Sequence, residues 1–525
     1  MAEVEDVEGR RGRTWPSYSS DSTPVNSSPN PSLRKRKEHI EVFAFEENDK
    51  RNPYHWSARR KWLLATISLL GTLTLPLNGT SITIAAAQLG EEFGVGDTAH
   101  LTNTYWAVTS WSVGGAVFII LFLPLLEELG VRRVYLGFYL FFILMLIPQA
   151  LAHNFATLVV TRFFSGGCVA LLANSIASII PDLWEGPAAR SLPVGIYIVL
   201  YVVGSTLGPV VFAPVVQYDL TWRWIFYIQL IFYGVLGIFF LFLLPETRGH
   251  IILRREAKKV RKQTGRKIYS EAELDTKPLN KTLPEAIYRP TYLLVTEPVL
   301  LASTLWSAFA LGTIYAFTQS VEQVFKGLYG WESYRCGYVQ AAVVMGEILG
   351  WFASMYGTRL FLKSADRNPE FPGQPIPEAR LYVSIFASFL GMTGGMFVYG
   401  WSSYSNLPWI VPAIGLGLVG FGIQVVVGAI ADYIVDAYAN PKYNYAGSAI
   451  SAVAAGENIV AGFLPLASQS MYTNLGFHWA SSVLGFLALG LSFVPIVFLF
   501  YGRSLRERST FMQSAGKDGS KQIAA

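Results

Sequence analysis

Three charged side chains stand where charge is costly. Arg162, Glu347 and Glu457 each interrupt an apolar stretch of about 20 residues, the length that carries a helix across a hydrocarbon core of about 30 Å. Glu347 lies about ten residues and Glu457 about eleven residues into their stretches. At about 1.5 Å per residue both reach roughly 15 Å, the midplane. An ionised carboxylate does not face lipid there, so each must point into a bundle or a wet cavity, where it can exchange a proton or attract a cation. Arg162 lies about six residues inside its helix and either acts within the bundle or snorkels to the interface. Each carboxylate also has a purely structural alternative, burial in a neutral, hydrogen-bonded form. Asn78-Gly79-Thr80 spells a glycosylation acceptor, but inside an apolar stretch no glycosyltransferase reaches it. Its amide is expected to face a central cavity.

Other chemistries lack their residues. There is no phosphate-binding Gly-rich loop ending in Lys-Ser/Thr, so ATP does not drive this chain directly. The six histidines show no metal-ligand spacing, no nucleophile elbow is present, and Cys168 and Cys336 form neither a CxxC pair nor a disulfide framework. No enzyme activity, cofactor or metal is expected.

The elements that carry these residues follow from composition. Of 525 residues, 52% are hydrophobic and only 15% charged, against about 25% charged in a soluble protein. Mean hydropathy is +0.36. The apolar blocks predict helices at about 62–88, 103–126, 134–152, 156–181, 191–216, 223–245, 298–321, 337–358, 381–400, 408–432, 446–471 and 479–501. The expected fold class is an all-α membrane protein of twelve transmembrane helices in two six-helix halves. The net charge of +5 comes from one side of the membrane rather than from a nucleic-acid surface. Arg59, Arg60, Lys61, Arg132, Arg133, Arg190, the run "RREAKKVRKQTGRK", Arg359, Lys363, Arg367, Arg380, Arg503, Arg506 and Arg508 all fall in tails or alternate loops. The first opposite loop carries Glu91, Glu92 and Asp97. Both termini are therefore predicted cytoplasmic. The domains expected are a disordered tail over 1–60, a first half over 61–245, a basic linker over 246–297 that reads as a solvated loop, a second half over 298–502 and a tail over 503–525.

Short motifs along this frame carry a family resemblance. "NPYHWS" (Asn52 to Ser57) precedes the first helix; "WRWIFYIQ" (Trp222 to Gln229) opens the sixth and "LPET" (Leu244 to Thr247) closes it. "PEARL" (Pro377 to Leu381), "DYIVDAY" (Asp432 to Tyr438) and "GRSLRERS" (Gly502 to Ser509) flank the ninth, tenth and twelfth. In order and placement, over roughly residues 50–510, these resemble the major facilitator superfamily, and within it the fungal twelve-helix drug:proton antiporters. "LPLLEELGVRR" resembles that family's loop motif GxLaDRxGRR, a charge latch between helices. Leu123 stands for the first Gly, Glu127 for Asp and Glu128 for Arg, while Gly130, Arg132 and Arg133 remain. Arg162 and Gly166 match its RxxxG pattern in helix 4. Gly204, Gly208 and Pro209 resemble the exporter motif GxxxGPxxGG, with Phe212 and Ala213 in place of the trailing glycines. Where many relatives have Arg in helix 11, this chain has Glu457, which favours cations.

The resemblance implies a secondary transporter working by alternating access. The leading expectation is proton-coupled export of drugs, toxic metabolites or polyamine-like cations. The alternatives are a proton-coupled importer of a nutrient or cation, and a non-transporting sensor on the same scaffold. Trp106, Trp111, Tyr197, Tyr201, Trp306, Tyr315 and Trp351 are candidates to line the cavity and offer ring faces to cations. A monomer is expected, with small-molecule substrate, protons and lipid as partners. The plasma membrane is the expected host, and the vacuolar membrane its alternative.

Overall fold

In the computed structural model, residues 41–46, 49–96, 102–275, 279–368, 373–438, 445–509 and 511–512 are described; at a few further positions, Glu127 and Glu128 among them, only the backbone is. Of the tail expected over 1–60, residues 1–40 lie outside these residues. Ten apolar helical stretches are each one span: Ala58–Phe93, Asn103–Phe122, Val131–Ala150, Phe155–Leu183, Ala189–Gln217, Arg223–Leu243, Pro298–Tyr329, Ser333–Arg367, Pro377–Trp401 and Ile410–Ala437. They are called spans 1 to 10. The eleventh stretch, Tyr445–Arg508, is 64 residues long. At about 1.5 Å per residue that is three times a bilayer core. It is two spans, 11 and 12, because Gly476 stands at φ 76° and ψ 166° and turns the chain back. Only glycine takes that conformation without strain.

The tightest helix pairs repeat between the halves. Spans 2 and 4 pair as 8 and 10 do, and spans 1 and 5 pair as 7 and 11 do. Gly114 and Gly166 bring spans 2 and 4 together backbone to backbone, and Gly346 and Gly420 do the same for 8 and 10. Small residues at such crossings let dispersion hold helices together where lipid offers no hydrophobic drive. A twofold relation between halves, inferred from layout alone in the sequence, is thus written in the packing.

Several spans run longer than hydropathy predicts. Span 1 continues to Phe93 through a 3-10 turn at Ser81–Ala85, span 7 reaches Tyr329, and span 9 contains a π-helical segment at Ala387–Gly394. Polar ends extend a helix past its apolar core when the tertiary structure supplies partners. The linker is also more than a solvated loop. It holds a helix, Gly249–Thr264, whose Ile251 and Ala257 are buried, and a strand, Ile268–Ser270. That strand pairs in parallel with Glu41–Phe43. Arg51 spans the two segments, 2.7 Å from Asp49 and 3.9 Å from Glu256. Residues 41–46 and 49–51 are therefore folded against the linker and are not tail-like. Here the hydrogen bonding of two short segments, invisible to composition, outweighs their polarity.

Candidate substrate and coupling site

Arg162 is fully buried on span 4 and does not snorkel. Its Nε donates to the Ala107 carbonyl at 2.6 Å and its terminal nitrogens to the carbonyls of Gly79 at 2.6 Å and Asn78 at 3.3 Å. These acceptors exist because span 1 tightens to 3-10 winding at Ser81, which turns the carbonyls of Asn78 and Gly79 out of the helical ladder. Among the described residues no carboxylate pairs with Arg162, so carbonyl dipoles alone balance its charge. Asn78 does not face the cavity as expected. Its amide accepts from Trp111 Nε1 at 2.9 Å and donates to Gln229 Oε1 at 2.6 Å, and Gln229 in turn donates to Ser81 Oγ at 2.8 Å. This network ties spans 1, 2 and 6 to one another. Gln229 sits in the "WRWIFYIQ" motif, where a lone amide in an apolar span was the available signal.

Span 5 faces both acidic residues. Pro209 has no N–H, which leaves the Ser205 carbonyl without its helical donor. Thr80 of span 1 donates to it at 2.8 Å. Gly204 and Gly208 allow that approach, lying against Leu73 and Thr80. The motif residues thus fasten span 5 to span 1, leaving its opposite face to the second half. There Thr206 donates to Glu347 Oε1 at 2.5 Å. Glu347 is completely buried and, among the described residues, its second oxygen has no hydrogen-bond partner.

Glu457 occupies a different place. It is half-buried on span 11 and accepts from Ser307 of span 7. Tyr197 and Tyr201 of span 5, stacked with ring centroids 6.4 Å apart, lie within its electrostatic reach, and Tyr315 neighbours Tyr201. Carboxylate, hydroxyl and phenol rings from spans 5, 7 and 11 therefore share one region between the halves. The other aromatic candidates scatter. Trp106 is 39% exposed at the surface, Trp111 belongs to the Asn78 network, Trp306 is buried in the second half, and Trp351 lies beside the valines near Glu347. The structure does not bring Arg162, Glu347 and Glu457 together as one cluster. Ser307 and Thr206 carried no signal in the sequence, since a lone hydroxyl in an apolar span usually bonds its own helix.

At the end carrying the linker, the quoted motifs meet. The Glu246 carboxylate of "LPET" accepts from Val131 N at 3.0 Å, so it caps span 3, and Arg255 stands 3.6 Å away. Gly130, at φ 88°, lies against that carboxylate; a side chain there meets both strain and clash. Arg132 donates to the Leu241 carbonyl at 3.3 Å, and Arg133 is exposed. The side chain of Glu127 lies outside the described residues. In the second half Arg380 of "PEARL" bridges Asp432 at 3.0 Å and Asp436 at 2.9 Å, both of "DYIVDAY". Glu378 of "PEARL" pairs with Arg506 of "GRSLRERS". At the opposite end the halves are joined directly, Thr109 Oγ1 to the Gly462 carbonyl at 2.9 Å, Tyr105 to the Tyr315 carbonyl at 3.2 Å and Tyr338 to Gln217 at 2.8 Å.

The profile of the Major Facilitator Superfamily matches residues 68–447. The chain belongs to the major facilitator superfamily. It is therefore an integral membrane transporter and not an enzyme. Superfamily members similar to it include the MFS transporter cpaT of Aspergillus oryzae, 34% identical over 89% of this chain and 92% of that one. The MFS transporter paaT of Penicillium rubens is 29% identical over 92% of this chain and 86% of its own length. The efflux pump atB of Aspergillus terreus is 29% identical over 89% and 88%. Among solved superfamily structures, the fold is shared with the xylose transporter XylE from E. coli in a partially occluded inward open conformation, at a TM-score of 0.59, 14% identity and coverage of 85% and 98%. The human organic anion transporter MFSD10 is similar at a TM-score of 0.57, 18% identity and coverage of 84% and 100%.

Proposed function

We propose that this transporter exports small organic molecules in exchange for protons, and that cationic or amine-bearing compounds are favoured among them. The observation that carries the reading is the region around Glu457: a half-buried carboxylate with Ser307, Tyr197, Tyr201 and Tyr315 between the halves. A carboxylate ringed by phenols attracts a cation by charge and by ring quadrupoles together. The names of relatives such as the efflux pump atB support the outward direction. Glu347, bonded across the interface to Thr206, is assigned the proton. A carboxylate that loses its only partner when the halves separate changes its preference for the proton with each swing, and this links protonation to alternating access. Arg162 is assigned the support of the span 1 turn that the swing bends. The test is flux of a fluorescent cation, rhodamine 6G, in inside-out vesicles with an acidic lumen. Accumulation that collapses with the proton gradient is the expected outcome; uptake driven in the opposite orientation makes the protein an importer, and saturable binding without flux makes it a sensor.

A further inference from the structure

Between the halves, toward the end that carries the linker, lies a cavity of about 60 Å³ lined by Ser191, Ser354, Thr358, Gln424 and Asp432, with Trp351 at its inner wall. Among the described residues, two of its polar groups lack hydrogen-bond partners. Gln424 is 1% exposed, its Oε1 accepts no hydrogen bond, and Trp351 Nε1 donates none. Leaving a buried amide unpaired is costly, so such groups are normally satisfied by water. At roughly 10–15 Å³ per water, the cavity has room for about four. Ser354 and Thr358 spend their hydroxyl protons on the backbone carbonyls of Gly350 and Ser354, leaving acceptor lone pairs for those waters.

The cavity leads toward Glu347. Trp351 lies one helical turn from Glu347 on span 8 and contributes to both the cavity wall and an apolar cluster with Val199, Val203 and Val344. Spans 5 and 8 run antiparallel, so Val199 and Val203 stand between the cavity and the Thr206–Glu347 pair. Among the described residues, the charged groups lie at the outer mouth: Arg380 bridges Asp432 and Asp436, and Arg190 at the start of span 5 lies within electrostatic reach of Asp432. From span 5 only Thr206 bonds to Glu347.

We propose that this cavity is a hydrated antechamber through which Glu347 exchanges its proton with the linker end, and that Trp351, Val199 and Val203 form the dry seal between them. The inference rests on the assignment of the proton to Glu347. When the seal parts, the neutral Glu347 acid gives its proton to a cavity water; a carboxylate and a hydronium ion result, and the hydronium relays outward past Gln424 and Asp432. When the seal is closed, Glu347 is isolated from that side and the proton stays.

Two variants test the route separately from the carrier. Gln424→Leu fills the polar wall with a side chain of similar size, and Val203→Ala thins the seal. Radiolytic footprinting of the purified protein reads water beside Trp351 and Met355, and a pH dye inside proteoliposomes reads proton flux. Gln424→Leu is expected to lower Trp351 oxidation about threefold, to leave the unfolding temperature no lower than the parent's because an unpaired amide is removed, and to slow proton-driven rhodamine 6G transport about fivefold with equilibrium exchange unchanged. Val203→Ala is expected to leak protons without substrate. Unchanged oxidation, a marked loss of stability, or drier footprints with undiminished proton-driven transport each overturn the antechamber. Glu347→Gln serves as the separate test of the carrier: if it still couples to the gradient, the assignment of the proton falls, whereas footprints that respond to Gln424→Leu still establish the water.

Discussion

At the scale of single residues, burial and partner type divide the charged groups into distinct tasks. Arg162 is enclosed by three carbonyls and by no acid. A guanidinium forks to several acceptors at once, which an ammonium does not. Arg162→Ala leaves those carbonyls unpaired in a dry site, at about 1–3 kcal/mol for each unsatisfied group. The expected order for both thermal stability and transport is parent, then Arg162→Lys, then Arg162→Ala, measured by thermal unfolding and by vesicle flux on the same preparations. An alanine variant as stable as the parent contradicts the role given to those bonds. Glu457 makes the opposite case, since it has a hydroxyl partner in Ser307 and is only partly buried. Glu457→Gln keeps shape and removes charge. It is expected to raise KM for rhodamine 6G by about tenfold, the value of one lost charge pair of about 1.4 kcal/mol, with little change for a neutral substrate.

At the scale of elements, span 5 does most of the positioning. One face is locked to span 1 through Gly204, Gly208 and the carbonyl freed by Pro209; the opposite face presents Thr206 to the second half, while the Tyr197 phenol donates to the Ala173 carbonyl of span 4 at 3.1 Å. Gly204→Val drives a branched side chain into the Leu73 backbone and is expected to cost about 1–3 kcal/mol or more, enough to reduce membrane abundance. Gly137→Ala on span 3 is the control, because nothing lies within 4 Å of its added methyl. It is expected to be neutral or to stabilise by about 0.5–1 kcal/mol, as glycine in a helix interior does when replaced by alanine. Quantitative blotting of membranes and thermal unfolding separate the two outcomes. The motif marks Gly204 and nothing marks Gly137, but only the neighbouring helix shows that one glycine is packed against backbone and the other is open.

At the scale of the whole molecule, the two halves are fastened unequally at their two ends. Opposite the linker they are joined by hydrogen bonds from one half to the other, whereas at the linker end each half is braced mainly within itself, by Glu246 on span 3 and by Arg380 on Asp432 and Asp436. The arrangement corresponds to a state closed at the end away from the linker. Arg380→Gln leaves two acids of span 10 without their shared cation. It is expected to slow turnover several-fold while leaving KM near the parent value, as for a residue that acts on the swing rather than on substrate. A pure KM effect places Arg380 in the binding region instead. Orientation is checked with cysteines introduced singly at exposed positions of the linker helix Gly249–Thr264. In intact cells they are expected to resist an impermeant thiol reagent, and ready labelling reverses the topology.

The sequence by itself determined the membrane class, the helix count, the six-plus-six layout and the superfamily. Hydropathy and loop charge are local properties that lipid reads segment by segment, so no tertiary knowledge is needed to find them. It also found the costly charges, because an Arg or Glu amid apolar residues stands out wherever it faces. Tertiary structure alone decided where those charges point. Arg162 turns to carbonyls of Asn78 and Gly79 that are free because span 1 tightens beneath it, Asn78 turns away to Gln229, Glu347 bonds across the halves to Thr206 and Glu457 bonds within the second half to Ser307. Partners such as Thr206 and Ser307 come from helices 141 and 150 residues away in the chain. A hydroxyl carries no mark of which distant helix it will meet, and helix rotation in a bundle is set by packing between small residues rather than by the segment's own composition.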